Sequence, residues 1–403
     1  MRVVADLHIH SKYAMATSKD TDLEHLAEGA RMKGINLLGT GDITHPLWLS
    51  ELKQKLQPSA NKGVFEYCGM NWILTGEVSV VYEQGGRTRK VHHLVNAPDL
   101  EVAQQILEAL SRFGAMESDG RPVLTGLDSA ELVEILTGLS DSVFVIPAHA
   151  WTPWFSVFGS KSGFDSLEEC FQDQTKKIFA IETGLSSNPP MNWRLSSLDG
   201  VALVSNSDAH SPNPWRLGRE ANVFELDRLG YRELFDAIRS KDPNRFLFTV
   251  EVDPAYGKYH FTGHRKCGIS MAPKDATALG NRCPHCGKKM TIGVLQRVED
   301  LADRPDGFRP PNTIPYRNLL PLYEVISFAT GVNRLYAKRV IEEQNKLIRA
   351  FNNELSVLLD ASEAELQGVT SKKIVGGILT VREDRMKLRP GYDGVYGSPS
   401  QQD

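Results

Sequence analysis

The chain has 403 residues, with 41% hydrophobic and 24% charged, an ordinary globular balance at a length that exceeds a usual single domain, so two or three domains are expected. No apolar run is long enough to cross a bilayer, no secretory leader precedes the first strand, and five cysteines form no disulfide-like framework, which excludes a membrane or disulfide-stapled class and points to the cytoplasm. The formal net charge of -4 excludes a general basic footprint for nucleic acid, so any such binding must be local.

Arg2-Val3-Val4-Ala5 reads as a strand running into Asp6-Leu7-His8-Ile9-His10. Residues two apart on a strand project to one side, so His8 and His10 can reach one ion. A helix follows over 22–33, with Asp22 as N-cap and Gly34 as its stop. Strand-like runs at 35–38, 72–75, 91–95, 143–146, 178–181 and 201–204 then alternate with helical stretches such as 99–113 and 129–136. Such alternation predicts a parallel α/β sheet or barrel, in which function sits on the loops after the strand ends. Asp42, Glu77, His93, His149, Asp208 and His210 each fall on or just after such a run. An isolated His-x-His is common by chance; the joint pattern points to a multinuclear metal hydrolase. The periodic region ends near Val250, giving a first domain over 1–253.

Residues 254–296 differ in character. His264-x2-Cys267 and Cys283-x2-Cys286 make two knuckle-like pairs, read as a closed structural Zn²⁺ site that holds the fold and performs no chemistry. His260 and His285 are rivals for the histidine position. Lys258, Arg265 and Lys266, with further Lys and Arg residues nearby, form a local positive surface that suits a phosphate backbone, although a merely solvated basic face has the same composition. Residues 297–403 read as a helical domain: stripes at 319–330 and 333–359 separated by a break at Gly331-Val332-Asn333, a capping box at Ser362-x2-Glu365, and a Gly/Pro/Ser-rich tail from Arg389 that is ordered only where it docks.

Asp6-Leu7-His8-Ile9-His10-Ser11, Thr40-Gly41-Asp42, Glu77, His93, Pro147-Ala148-His149 and Ser207-Asp208-Ala209-His210 resemble the polymerase and histidinol phosphatase family. That resemblance covers residues 1–253 and implies a distorted (β/α)7 barrel with two or three divalent ions, Zn²⁺, Mn²⁺ or Mg²⁺. A closer resemblance spans the whole chain. Pro147-Ala148-His149-Ala150-Trp151-Thr152-Pro153-Trp154, Ser205-Asn206-Ser207-Asp208-Ala209-His210-Ser211-Pro212, Arg216-Leu217-Gly218-Arg219-Glu220, the Cys/His module and Pro390-Gly391-Tyr392-Asp393-Gly394 are similar to endonuclease Q. It implies cleavage of double- or single-stranded DNA on the 5′ side of deaminated bases (hypoxanthine, uracil, xanthine) and abasic sites. Where the wider family carries Thr-Asp-His this chain has Thr40-Gly41-Asp42, with His45 as a possible substitute, and Met15 stands at a further ligand position. His93 is favoured over adjacent His92, since alternation lets only one face the site.

On this reading Asp208, Glu77 and His10 are catalytic, and an activated hydroxide attacks phosphorus in line to leave a 3′-hydroxyl and a 5′-phosphate. Trp48, Trp151, Trp154, Trp193 and Trp215 follow the candidate ligands on loops and are expected to ring the site, where they could stack on DNA or fill the gap left by a flipped base; core packing is the alternative for each. Gly184, Ser186 and Ser187 are candidates for a donor-rich base pocket. Two other classes stay in view: a small-molecule phosphatase, which needs none of the C-terminal apparatus, and a non-catalytic DNA-binding scaffold. Cys68 and Cys170 are expected in the core and His25 on a helix surface.

Overall fold

The computed structural model describes residues 1–332, 334 and 336–400. Its first strand, Arg2–Asp6, pairs in parallel with Leu37–Gly39, which pairs in parallel with Met70–Gln84. Between the first two lies the helix Leu23–Lys33. Asp22 caps it by accepting from the His25 amide, and Gly34 ends it at φ 102°.

The parallel alternation then breaks. Met70–Gln84 turns back through Gly85 and Gly86 into Arg87–Ala97, a long antiparallel hairpin, and Phe144–Pro147 adds antiparallel to that. Ala221–Glu225 and Phe246–Glu251 extend the other side of Arg2–Asp6, also antiparallel. The sheet is therefore mixed where a parallel one was expected, because a two-residue turn lets successive strands pair directly, whereas parallel neighbours need a crossover helix. Ala180–Glu182 pairs in parallel with Ala202–Val204. The Ala150 amide donates to Glu182 on one side of that pair, and on the other the His10 amide donates to Ala209 at 3.0 Å, returning to the first strand.

One apolar cluster gathers Ala5, Leu7, Leu37, Ile73, Leu94, Ile146, Ala180, Val204 and Phe224, closed by Tyr231, Leu234, Phe235 and Ile238 of the helix Tyr231–Ser240. The candidate ligands lie just beyond these positions, at His8, Glu77, His149 and Asp208. On Arg87–Ala97, which runs the opposite way to Met70–Gln84, the corresponding position precedes Leu94.

Thr262–His264 and Ile269–Met271 form a short hairpin that carries the Cys/His module. After the short helices Pro273–Ala278 and Val294–Leu301 come the α-helices Leu322–Thr330, Lys338–Phe351, Glu363–Val369 and Lys372–Arg382. The stripe over 333–359 is interrupted at Asn352, where φ is 72°. Asn333 and Leu335, within that expected helix, lie outside the described residues, as do 401–403 of the tail. Ser362 and Glu365 form the expected capping box. Cys170 is buried as expected, whereas Cys68 is exposed in a turn with φ 51°. Among the described residues no helix is long and apolar enough to cross a membrane.

The helical region is anchored to the first by a buried ion pair. Lys33 Nζ lies 2.6 Å from Glu354 Oε1, both side chains almost fully enclosed, and Glu354 also accepts from the Leu322 amide and Gln344 Nε2 at 3.0 Å. Removing one member strands the other charge, so Lys33→Met should cost about 3–5 kcal/mol of stability. The added change Glu354→Gln, which keeps the acceptor and drops the charge, should restore much of it. Urea midpoints of the three proteins check this, and an unchanged midpoint in the single variant would refute it.

Candidate metal centre

Glu77 sits within Met70–Gln84 with no solvent exposure, and its two oxygens face different partners. Oε2 lies 3.5 Å from His8 Nε2, 3.3 Å from His10 Nε2 and 3.2 Å from Arg121 Nη1. Oε1 lies 2.8 Å from His92 Nδ1 and 3.1 Å from His149 Nε2. Asp208 Oδ1 completes the first group, 3.1 Å from His10 Nε2 and 3.6 Å from His8 Nε2. Two donor sets result, His8/His10/Glu77/Asp208 and Glu77/His92/His149, each with its ligand atoms within 4.8 Å of one another and joined through Glu77. His8 Nε2 is buried without a hydrogen-bond partner while aimed between two carboxylates, an arrangement that fits a shared cation.

Three expected ligands stand elsewhere. His93 opposes Val78 in the hairpin, on the face away from Glu77, whereas His92 opposes Ser79, two residues from Glu77 and on its face. The His93 ring bonds Ser129 Oγ at 3.0 Å and packs on Phe171, so His92 takes the position assigned to His93. Asp42 lies behind His10: Oδ1 is 3.0 Å from His10 Nδ1, and Oδ2 accepts from the Ser11 amide and hydroxyl at 2.6 Å. It orients a ligand and joins neither donor set. His210 lies beside the first set, its ring 4.4 Å from that of His10 and its Nδ1 3.7 Å from Asp208 Oδ1, part-exposed at the mouth. His45 is buried against Tyr13, and Met15 points into solvent, so neither compensates.

Two participants escaped the sequence reading. Glu182 holds His8 Nδ1 at 3.0 Å and accepts from the His149 amide at 2.7 Å and Asn206 Nδ2 at 2.8 Å, fixing a ligand from each set. It ends the strand Ala180–Glu182, so the rule that picked out Glu77 would have found it. Arg121 belongs to an irregular segment and gave no such signal.

The loops are held by backbone as much as by side chains. Asp6 accepts from the Ser207 amide at 3.0 Å and the Gly218 amide at 2.9 Å, and the Leu7 amide donates to Asn206, which sets the 205–208 segment beside the first strand. Asp42, His149 and Asp208 all have left-handed backbone, with φ of 51°, 31° and 48°. Non-glycine residues in that region cost of order 1–3 kcal/mol each and persist where surrounding structure over-determines them.

A cavity of about 390 Å³ opens over His92, His149, Asp208 and His210, walled by Trp154, Phe155, Leu185, Lys258, Tyr259 and Tyr396. Gly184 and Ser186 also line it. A Cβ on Gly184 would come within 2.7 Å of His149 Cβ, so only glycine lets this turn approach the ligand. Ser187 does not line it: its hydroxyl is buried, donating to the Thr183 carbonyl and accepting from Asn192 Nδ2. Trp151 is likewise no rim residue. It is buried on Phe158 with its indole N–H donating to Asn192 Oδ1 at 2.8 Å. Trp48 is buried too, while Trp193 packs under Arg309 and Trp215 against Tyr323. Of the five indoles Trp154 alone lines the cavity; Trp48 and Trp151 bury their rings and satisfy their N–H groups in the core instead.

Residues 321–385 match the family model described as the MJ0043 C-terminal domain. The uncharacterized protein MJ0043 of Methanocaldococcus jannaschii is 35% identical over 257 residues, 62% of this chain but 31% of that protein, so the chain spans about a third of that relative's length. The uncharacterized protein YqxK of Bacillus subtilis is 30% identical over 98% of both chains. The crystal structure of the lesion-specific endonuclease PfuEndoQ from Pyrococcus furiosus superposes with a TM-score of 0.89 and 36% identity, over 99% of this chain and 95% of that one. An endonuclease Q complex with a 27-mer duplex bearing an abasic lesion at the active site gives 0.88 and 35%, over 99% and 96%. The chain belongs to the endonuclease Q family.

The Cys/His module of this endonuclease Q family member also converges. His264, Cys267, Cys283 and Cys286 bring their ligand atoms within 4.8 Å of one another, while His260 stacks on Phe261 and His285 is exposed. Burial pushes the Cys283 thiol up, but amides of Cys286 and His285 outweigh it and bring it down to about 6, favouring the thiolate a zinc ion needs. Lys258, Arg265 and Lys266 are exposed, Lys258 on the cavity wall.

In the His/carboxylate cluster, burial pulls His8 and His10 down, yet the carboxylates around them, Glu182 and Glu77 for His8 and Asp42 for His10, outweigh it and the net is upward. Both therefore carry protons at neutral pH when no cation is present. His92 is driven down to about 4 by burial against the pull of Glu77, so it is already neutral. A cation must displace the His8 and His10 protons, so metal affinity should fall as pH is lowered, and uptake should release protons into a weak buffer. Calorimetry at several pH values checks this, with a pH-independent affinity as the contrary result. Glu182→Gln removes the charge that orients His8 and should weaken metal binding by about 10–100-fold in a chelator competition, an unchanged affinity counting against that role.

Proposed function

We propose that this chain is a metal-dependent DNA repair endonuclease that hydrolyses the phosphodiester on the 5′ side of deaminated bases (hypoxanthine, uracil, xanthine) and abasic sites. The observation that carries the reading is the juxtaposition of two joined ligand sets with a base-sized, aromatic-walled cavity. Likeness over nearly the whole chain to a lesion-specific endonuclease supports it. In this reading residues 1–253 form the phosphoesterase barrel, whose distorted seven-strand ring runs from Arg2–Asp6 round to Ala202–Val204; 254–296 form a zinc-ribbon-like module; and 297–403 form a helical DNA-binding domain with its tail.

His8, His10, Glu77 and Asp208 hold one divalent ion, and Glu77, His92 and His149 a second, of Zn²⁺, Mn²⁺ or Mg²⁺; the four knuckle residues hold a structural zinc. Bound there, divalent ions supply a water of lowered pKa and offset the charge of the phosphodiester. Glu77 spans the two sets and fixes their spacing. Asp208, part-exposed at the mouth, faces the incoming phosphate and orients the attacking water, while Arg121 adds a fixed positive charge beside Glu77. Extrusion of the lesion nucleotide, cheapest at a mismatch, delivers its base to the cavity. Deamination replaces an amine donor with a carbonyl acceptor, so the Lys258 ammonium, the Ser186 hydroxyl and the Gly184 turn favour the damaged base. Arg265 and Lys266 meet the phosphate backbone beyond it.

End-labelled duplexes carrying one deoxyinosine, one deoxyuridine, one abasic site or no lesion, beside a generic phosphomonoester, test this with Mg²⁺, Mn²⁺ or Zn²⁺ supplied. Single cuts 5′ to each lesion are expected. Phosphate release alone would make the protein a phosphatase, and retarded but intact DNA a binding scaffold. Asp208→Asn should lose cleavage while retaining the gel shift.

A further inference from the structure

The C-terminal segment 390–397 lies along the connection between the first domain and the zinc module and is stitched to it. The Gly391 amide donates to the Ala255 carbonyl at 2.9 Å, the Gly394 amide to Lys258 at 3.0 Å and the Gly397 amide to Tyr256 at 3.0 Å, and the Phe261 amide donates back to Gly391. Asp393 accepts from the Arg265 amide and the Thr291 hydroxyl, both at 2.7 Å, tying the segment to the zinc knuckle. A Cβ on Gly391 would run into the Gly257 carbonyl and one on Gly397 into that of Ala255, so both glycines are required by close backbone contact.

All this fixes one large side chain. Tyr396 remains 47% exposed although its backbone is clamped on both sides, and it faces the cavity that opens on His149, Asp208 and His210. Lys258 Nζ lies 4.8 Å from its ring centre, and Trp154 and Tyr259 stand on the same wall, 5.6 Å apart edge to face. A half-exposed aromatic ring on a rigid strap beside a metal centre offers a flat face at no further ordering cost, the property a nucleobase platform needs.

We propose that Tyr396 stacks on the extruded base, so that the C-terminal segment is a specificity-determining wall of the active site. The inference rests on the endonuclease reading above. It distinguishes lesions that keep a base from those that have lost it. Single-turnover cleavage of a deoxyinosine duplex should fall by about tenfold or more in Tyr396→Ala and hold within about twofold in Tyr396→Phe, while an abasic duplex is cut by all three proteins at similar rates. Gly397→Val, which lifts the strap without altering the ring, should reproduce the selective loss at unchanged zinc content. Equal losses on both duplexes, or no loss on deoxyinosine, would overturn the proposal while leaving the nuclease reading intact. A wild-type protein that cuts neither duplex would overturn both.

Discussion

A carboxylate with no access to water must be surrounded by positive charge or donors, and Glu77 is the place where this chain meets that demand. Four imidazoles and one guanidinium come within 3.5 Å of its two oxygens, drawn from the first strand, the long hairpin and two distant loops. Isolated, such a buried charge would cost several kcal/mol. Its imidazole partners are cations only when protonated, and protonated imidazoles crowd one another, so cations shared between the histidines and carboxylates would relieve both problems at once. The long hairpin gives Glu77 a rigid base, since its neighbours on both strands are locked by a continuous ladder.

Behind the ligands stands a second layer with the same logic. Asp42 fixes His10, Glu182 fixes His8 and the His149 amide, and Asp6 fixes the turn that presents Asp208. Each is buried and satisfied mainly by backbone N–H groups or by a ligand ring, so each transmits the position of one strand to the next. Left-handed backbone at Asp42, His149 and Asp208 is strain held in place by that layer. Stability given up here is offset by burial in the apolar interior.

Legibility in the sequence followed from how local each determinant is. Helix caps at Asp22 and Ser362 depend on three or four residues and were readable, as were carboxylates and histidines at strand ends and the paired Cys/His spacing. The choice between His92 and His93 was not, because alternation gives two faces without saying which is inward, and the antiparallel return of the hairpin reverses the side on which the ligand falls. Asp42 was read as a ligand because a carboxylate in a loop looks the same whether it touches an ion or orients a histidine that does. The tryptophans misled in a similar way: loop position says nothing about which way an indole turns, and Trp48 and Trp151 found acceptors inside. Arg121 lies in an irregular stretch without period or cap, so only the fold brings it to Glu77.

Charge is unevenly distributed around the two ligand sets, and both signs stand close together there. Without cations the mouth of the site presents Asp208 above buried Glu77, Glu182 and Asp42, with His8, His10 and Arg121 as the positive groups set among them. Lys258 and Arg219 line the cavity and Arg265 lies exposed on the Cys/His module, so further positive charge stands beside the cavity. Divalent cations in the ligand sets would replace the protons of His8 and His10 and add positive charge at the mouth. A chain whose overall charge is negative can thus meet a polyanion through a local arrangement of positive groups.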